Sequence, residues 1–328
     1  MPLIIIIVIS LALLFGFLNG MHDSRNVVST VVSSRAYSPP AALGITIMAE
    51  LAGPFILGVA VAKTIGKGIV DPNAISLQVI LAALVGAIMW NLFTWKLRLP
   101  SSSSHALIGG IVGAVIVSAG TQAINTNSLF KILISLFFSP VIGFIFGYAL
   151  LKIVFVLCWN ATPRINDFLK KSQLLTALAL GLSHGSNDGQ KIMGIITLAL
   201  VTGGYLKLFV VPLWVVAISA IALSFGTAMG GWSLIRKPGN SFYKIRPVDG
   251  FSTQASSAFI VIGASIVGGP VSATQVINTA IMGVGAAERA NKVRWGIAQD
   301  IVTAWVLTIP AVAFLAAGIY ELIVRFIP

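Results

Sequence analysis

The stretch Gly181-Leu-Ser-His-Gly-Ser-Asn-Asp-Gly-Gln-Lys191 sets several polar side chains between two apolar runs, Leu174–Leu182 and Ile192–Val201. The apolar runs indicate membrane helix, so the polar cluster lies at or near hydrocarbon depth. A charged side chain at the centre of a membrane helix costs roughly 2.5–3.5 kcal/mol on insertion scales, so such a cluster indicates a functional site. The alternative is a single polar turn between two helices at the membrane surface.

Glycine recurs inside this stretch, at Gly181, Gly185 and Gly189. Glycine is a poor helix former, so the stretch is expected to allow an unwound turn, which a membrane tolerates where protein or a water-filled cavity satisfies the backbone. The same four-residue glycine spacing, as in Gly16–Gly20, is also typical of helix-packing sites.

The composition indicates a polytopic membrane protein. Of the 328 residues, 57% are hydrophobic and 9% are charged, whereas soluble domains have about 25% charged residues. The net charge of +12 is explained by Lys and Arg in cytoplasmic loops and gives no reason to expect a nucleic-acid partner.

Cys158 is the only cysteine, which excludes an intramolecular disulfide. The first apolar run, Leu3–Phe17, has no basic n-region and is interpreted as a membrane helix rather than a signal peptide.

The apolar segments differ in length, and about 20 apolar residues are needed to span a bilayer as a helix. They are Leu3–Leu18, Ala41–Ala62, Ile75–Trp95, Ala106–Ala119, Leu129–Trp159, Leu174–Leu182, Ile192–Val201, Leu206–Ile235, Phe251–Val267, Ala273–Ala287 and Ile297–Ile319. We therefore predict an all-α polytopic membrane protein with about 10–12 membrane segments, including broken or re-entrant helices.

The opening motif occurs twice. Gly16-Phe-Leu-Asn-Gly-Met-His-Asp-Ser-Arg-Asn26 aligns with it at an offset of 165, which places Asp23 on Asp188. A second pair of motifs aligns at an offset of 170 and consists of Pro100-Ser-Ser-Ser-Ser-His-Ala-Leu-Ile-Gly110 and Pro270-Val-Ser-Ala-Thr-Gln-Val-Ile-Asn278. Two pairs in the same order predict a duplication. Paired broken segments of this kind are typical of transporters with inverted repeats.

The duplication divides the chain into an N-terminal repeat over residues 1–159, a central loop over 160–172 and a C-terminal repeat over 173–328. Whether the repeats are inverted depends on the number of crossings in each. Two basic segments, Asn160–Ser172 and Arg236–Arg246, are predicted to be cytoplasmic.

The serine runs suit a small oxyanion. Pro100 ends the preceding helix, and Ser101–Ser104 lead into an apolar helix whose N-terminus offers free N–H groups and the positive end of its dipole. The alternative is ordinary helix capping. The predicted phosphate ligands are Ser102, Ser103, Ser104, Asn26, Gln190, Ser272 and Thr274. A carboxylate facing the anion would favour monohydrogen phosphate over sulfate, because only the former keeps a proton to donate.

The repeated Asp–Asn motifs suit a hard cation, which prefers oxygen ligands. The predicted ligands of the coupling ion are Asp23, Asn26, Asn187 and Asp188, with sodium held at Asp23 and Asp188. The histidines of the motifs keep a proton-coupled alternative open. Arg25 and Lys191 are expected to pair with the two aspartates. Further candidate site residues are Thr30, Glu50, His105 and Lys191.

These motifs resemble the signatures of the inorganic phosphate transporter (PiT) family. The similar segments are residues 16–23, 100–110, 185–191, 280–287 and 304–310. The resemblance implies a secondary active transporter that imports phosphate with sodium or protons through two inverted repeats, as a homodimer in the cell membrane. It implies a site at Asp23, Asn26, Ser101–Ser104, Asn187, Asp188 and the 271–275 turn. Family members often have Thr-Thr-His where this chain has Ala273-Thr274-Gln275, and the short central loop is similar to that of compact prokaryotic members.

We therefore predict a sodium-coupled phosphate symporter that needs no cofactor and is not an enzyme. Alternatives within the carrier class are proton coupling, a metal–phosphate substrate and sulfate. A passive anion channel is the alternative from another class, and the two intramembrane aspartates argue against it. An intramembrane hydrolase is disfavoured because no Ser-x-x-Lys or nucleophile-elbow motif accompanies the serines.

Overall fold

A computed structural model describes residues 3–71, 75–97, 99, 101–236, 245–293 and 295–326. Its α-helices are α1 (Leu3–Ser33), α2 (Pro39–Leu57), α3 (Ala60–Lys63), α4 (Leu77–Leu97), α5 (Ser103–Ala119), α6 (Thr126–Leu157), α7 (Ile165–Thr202), α8 (Leu213–Arg236), α9 (Pro247–Val267), α10 (Ala273–Glu288) and α11 (Trp295–Phe326). Seven of these are long and apolar enough to cross a membrane, which confirms the all-α polytopic class. Pro100 and most of the second basic segment, residues 237–244, lie outside the described residues.

The predicted unwound turns in the two repeated motifs are wrong. α7 is one helix of 38 residues that runs without interruption through the stretch 181–191, and α1 is continuous through the first copy of the motif. The glycines serve helix packing instead. A Cβ on Gly185 would overlap the backbone of Glu50 in α2, and one on Gly20 would overlap the backbone of Leu223 in α8. α7 also begins at Ile165, so the connection from α6 is shorter than the predicted central loop.

A helix break occurs instead between α2 and α3. Gly58 has a φ of 81°, a value that glycine adopts without strain, and a π-helical turn over Thr64–Gly68 follows α3. The side-chain oxygen of Gln190, in α7, accepts hydrogen bonds from the backbone N–H groups of Val61 (2.7 Å) and Ala62 (3.3 Å). α7 thus satisfies backbone groups that the break leaves free, as a membrane-embedded break requires.

Two helical hairpins, α4–α5 and α9–α10, meet tip to tip. The hydroxyl of Ser104 in the first turn of α5 donates to the carbonyl of Val271, just before α10, at 3.2 Å. α5 packs on α11, where Gly113 lies against Ala313, and α10 packs on α6, where Gly147 lies against Ala280. Each hairpin therefore packs on the last helix of the other half of the chain.

The two helices that carry the repeated motifs, α1 and α7, run antiparallel. Asp23 lies beside His184, whereas the hydroxyl of Ser34, directly after α1, donates to the side-chain oxygen of Gln173, eleven residues before His184, at 2.7 Å. The two motif copies therefore lie side by side, in opposite chain directions.

The amide of Gln173 also donates to the carbonyl of Pro247 at 3.0 Å, which brings the beginnings of α7 and α9 to the end of α1. We call this the basic end, since Arg164, Lys170, Lys171 and Arg246 lie in these first turns or directly before them. The first segment predicted to be cytoplasmic and Arg246, the described end of the second, thus lie at one end of the molecule.

Candidate functional site

Three carboxylates from three helices surround the imidazole of His184. Its Nδ1 lies 2.7 Å from Oε1 of Glu50 on α2. Its Nε2 lies 3.4 Å from Oδ2 of Asp23 on α1 and 3.4 Å from Oδ2 of Asp188 on α7. All four residues are buried, so α1, α2 and α7 converge on one ionisable cluster.

This cluster has the donor set of a cation site. Asp23, His184 and Asp188 each offer one ligand atom, and these atoms lie within 4.8 Å of one another. Among the described residues, Oδ2 of Asp188 is buried and makes no hydrogen bond, and such a buried carboxylate oxygen is costly unless a proton or cation satisfies it. Asp23 and Asp188 were predicted from the sequence, but His184 was not among the predicted ligands. Its spacing of four residues from Asp188 puts both on one helix face.

The first turn of α10 joins this cluster to the hydroxyl groups. The Thr274 hydroxyl donates to Oδ1 of Asp23, and the Asn26 amide donates to the same hydroxyl at 3.3 Å. Thr274, a predicted phosphate ligand, therefore contacts Asp23, a predicted cation ligand, and Asn26, which is predicted for both ions.

Lys191 forms the second contact set at the hairpin tips. Its ammonium donates to Asp188, to the Ser104 hydroxyl at 2.6 Å and to the Val271 carbonyl at 2.7 Å. The predicted pairing of Lys191 with Asp188 is confirmed.

The corresponding prediction for Arg25 is wrong. Arg25 is exposed and forms no ion pair within the described part of the chain. Residues two positions apart do not share a helix face, so the Arg25 side chain points away from Asp23.

Asn187 holds the tip of the α9–α10 hairpin. Its amide donates to the Ser265 hydroxyl at 3.0 Å and to the Gly269 carbonyl at 3.3 Å, and its side-chain oxygen accepts from the Val271 N–H at 3.3 Å. These contacts fix the backbone next to Ser272 and Thr274, and they direct the Asn187 amide towards protein groups.

The serines after α4 have distinct partners. Ser102 caps α5 by accepting from the His105 N–H at 3.4 Å, and its hydroxyl lies 2.9 Å from the His105 ring Nδ1. Ser103 donates to Asn19 on α1. Ser272 is the residue before α10 and makes no capping hydrogen bond through its side chain. Two helix N-termini with five hydroxyl groups thus meet beside the carboxylate cluster, and helix N-termini favour anions.

Two predicted site residues have other partners. The side-chain oxygen of Gln190 is used at the α2–α3 break, and its amide donates to Ser186 at 2.8 Å. The Thr30 hydroxyl accepts from Gln254 at 3.1 Å, and Gln254 also donates to Gln173 at 3.2 Å near the basic end. Within the described part of the chain neither Gln190 nor Thr30 hydrogen-bonds to the hairpin tips, and their role as site residues stays a prediction.

Comparisons with known proteins show what the whole chain is similar to. Residues 19–316 match the model of the Phosphate transporter family. The chain is 43% identical over 314 residues to a probable low-affinity inorganic phosphate transporter of Rhizobium meliloti (95% of this chain, 94% of the relative). It is 42% identical over 319 residues to a protein of the same description from Bacillus subtilis (96% of each). A solved structure described as a sodium-dependent phosphate transporter has a TM-score of 0.91 at 23% identity and covers 99% of this chain and 100% of its own.

Proposed function

This chain belongs to the phosphate transporter family and is a phosphate transporter of the cell membrane, and from that premise we propose that it imports phosphate by symport with sodium. The observation that carries the proposal is the meeting of Asp23 and Asp188 with the first turns of α5 and α10. A cation site and an anion site then share side chains, which links the binding of one ion to the binding of the other.

Phosphate binds between the two hairpin tips in this proposal. Its donors are the amide of Asn26 and the hydroxyls of Ser102, Ser103, Ser104, Ser272 and Thr274. Since a hydroxyl has one O–H donor, Ser103, Ser104 and Thr274 exchange their present acceptors for phosphate oxygens. The free N–H groups and dipoles of α5 and α10 add positive potential. The Lys191 ammonium, 2.6 Å from the Ser104 hydroxyl, neutralises part of the charge of the anion.

Sodium is held by Asp23 and Asp188, with Asn26 as a further oxygen ligand. The carboxylate and amide oxygens of this cluster suit a hard monovalent ion, and the similar solved structure is described as sodium-dependent. Proton coupling is the second candidate, because His184 lies within 3.4 Å of three carboxylates and histidine exchanges protons near neutral pH.

Alternating access would follow from two inverted repeats, residues 1–159 and 173–328. Support comes from the antiparallel α1 and α7 and from the two hairpins that meet tip to tip. Rocking of one hairpin against the other would expose the shared site to each side of the membrane in turn. Assembly as a homodimer, which the family resemblance implies, stays a prediction that cross-linking in membranes can test.

Uptake of radiolabelled phosphate into proteoliposomes tests the function. Inward sodium and inward proton gradients are imposed separately, with excess sulfate as competitor. We expect accumulation with sodium alone that sulfate does not inhibit. Accumulation with protons alone would replace sodium by the proton candidate, whereas mere equilibration under both gradients would contradict symport.

A further inference from the structure

The two halves of the site differ in charge at one position. The offsets of the repeats relate Asp23 to Asp188, Asn26 to Lys191 and Thr274 to Ser104. We call Asp23, Asn26 and Thr274 the first triad, and Asp188, Lys191 and Ser104 the second triad. Each triad contains an aspartate, the residue three positions later on the same helix and a hydroxyl from the hairpin tip of the opposite half.

The second triad already contains a cation. The Lys191 ammonium contacts the Asp188 carboxylate, the Ser104 hydroxyl and the Val271 carbonyl. A lysine ammonium has three N–H donors, and these three oxygens satisfy all of them. A carboxylate, a hydroxyl and a backbone carbonyl are also the ligand types that a hard cation selects.

The first triad has the same acid and hydroxyl but no ammonium. Its third member, Asn26, is neutral and donates to the Thr274 hydroxyl. Arg25, the cation nearest along the chain, is exposed and unpaired within the described residues. The first triad therefore lacks a permanent positive charge beside its carboxylate.

We propose that Lys191 is a built-in cation that permanently fills the second triad, so that this transporter carries one coupling cation fewer per phosphate than it would with two open triads. The mobile cation binds at the first triad through Asp23, and Asp188 shares only its Oδ2 with that cation because its Oδ1 binds Lys191. The inference rests on the proposed symport, and it holds whether the mobile cation is sodium or a proton.

Lys191→Asn tests the inference, because it gives the second triad the residue of the first. The readout is the limiting ratio of internal to external phosphate in proteoliposomes at zero membrane potential, measured as the imposed cation gradient is varied. One additional coupled cation raises this ratio by about tenfold for an approximately tenfold gradient, since each tenfold concentration ratio has a fixed free energy. Lys191→Arg keeps the positive charge. Its limiting phosphate ratio is therefore expected to depend on the cation gradient as in the wild-type protein, even if its uptake is slower.

An unchanged dependence in Lys191→Asn would overturn the inference while leaving symport intact. Symport itself fails only if the wild-type protein does not accumulate phosphate under any cation gradient. The two failures are therefore distinguishable.

A binding measurement covers the case in which Lys191→Asn does not fold. Asn26→Lys places an ammonium in the first triad, and we expect it to abolish the increase in thermal stability that the coupling cation gives the purified wild-type protein. Persistence of that increase in Asn26→Lys would overturn the inference, because the first triad would then not be the mobile-cation site.

Discussion

At the scale of single residues, the site is a set of buried charges in contact with one another. Lys191 is 1% exposed, and a charge at membrane depth persists only with partners that replace water. Asp188, Ser104 and Val271 are those partners. Pairing of this kind makes the removal of one partner more costly than the removal of both.

Asp188→Asn is expected to reduce the free energy of unfolding by roughly 3–5 kcal/mol, because it leaves the Lys191 ammonium buried without its counter-ion. The double variant Asp188→Asn, Lys191→Met is expected to be more stable than the single variant. Thermal unfolding in detergent measures both, and Arg25→Gln is the control, since Arg25 is exposed and forms no ion pair among the described residues. Equal stability of the single and double variants would contradict the pairing argument.

Thr274→Val is expected to raise the phosphate concentration for half-maximal uptake by roughly tenfold or more, because it removes a proposed donor to the bound phosphate, and a lost hydrogen bond to a charged group costs about 1.5–3 kcal/mol. Valine has the shape of threonine but leaves Asp23 without its donor. Thr274→Ser keeps the hydroxyl and is expected to stay close to wild type. Similar uptake curves for the valine and serine variants would remove Thr274 from the site.

At the scale of helices, the motif glycines determine how closely two helices approach and do not make the backbone flexible. α7 keeps its backbone hydrogen-bonded throughout, and its glycines let α2 approach closely enough for Glu50 to reach His184. Close helix approach through small residues is the common packing mode where lipid provides no hydrophobic driving force. The position of Glu50 therefore depends on residues that carry no polar side chain.

Gly185→Ala is expected to destabilise the protein by about 1–3 kcal/mol. The added methyl group overlaps the Glu50 backbone, so α2 and α7 have to move apart. Gly44→Ala is the matched control on α2, since a Cβ there meets no atom within 4 Å. The control is expected to be neutral or stabilising by up to about 1 kcal/mol. Thermal unfolding of the two variants compares them directly, and equal effects would show that contact with α2 does not decide the cost.

At the scale of the whole molecule, the chain has a basic end. The end of α1 and the beginnings of α7 and α9 meet there, joined through Gln173. Lys and Arg accumulate on the cytoplasmic side of membrane proteins, so this end is predicted to face the cytoplasm.

Cys158, the only cysteine of the chain, lies between α6 and α7 at the basic end. It is partly exposed. A membrane-impermeant thiol reagent is therefore expected to leave the protein unlabelled in intact cells and to label it after permeabilisation. Cys158→Ser is the control for labelling at other sites. Labelling of wild-type protein in intact cells would reverse the orientation.

The sequence by itself determined the membrane class, because hydropathy depends only on composition and order. It also indicated the duplication and most of the polar residues of the site, since Asp23, Asp188, Ser104 and Thr274 lie in repeated motifs. It supported the pairing of Lys191 with Asp188, because residues three apart share a helix face.

Only the tertiary structure decided which partners those residues have across helices. It left the motif glycines in continuous helices and assigned Gln190 to the α2–α3 break. It brought Glu50, His184 and Asp23 together from three helices, and it set Lys191 against the opposite hairpin tip. Contacts between distant segments depend on how helices cross and how closely they approach, and local sequence patterns do not contain that information.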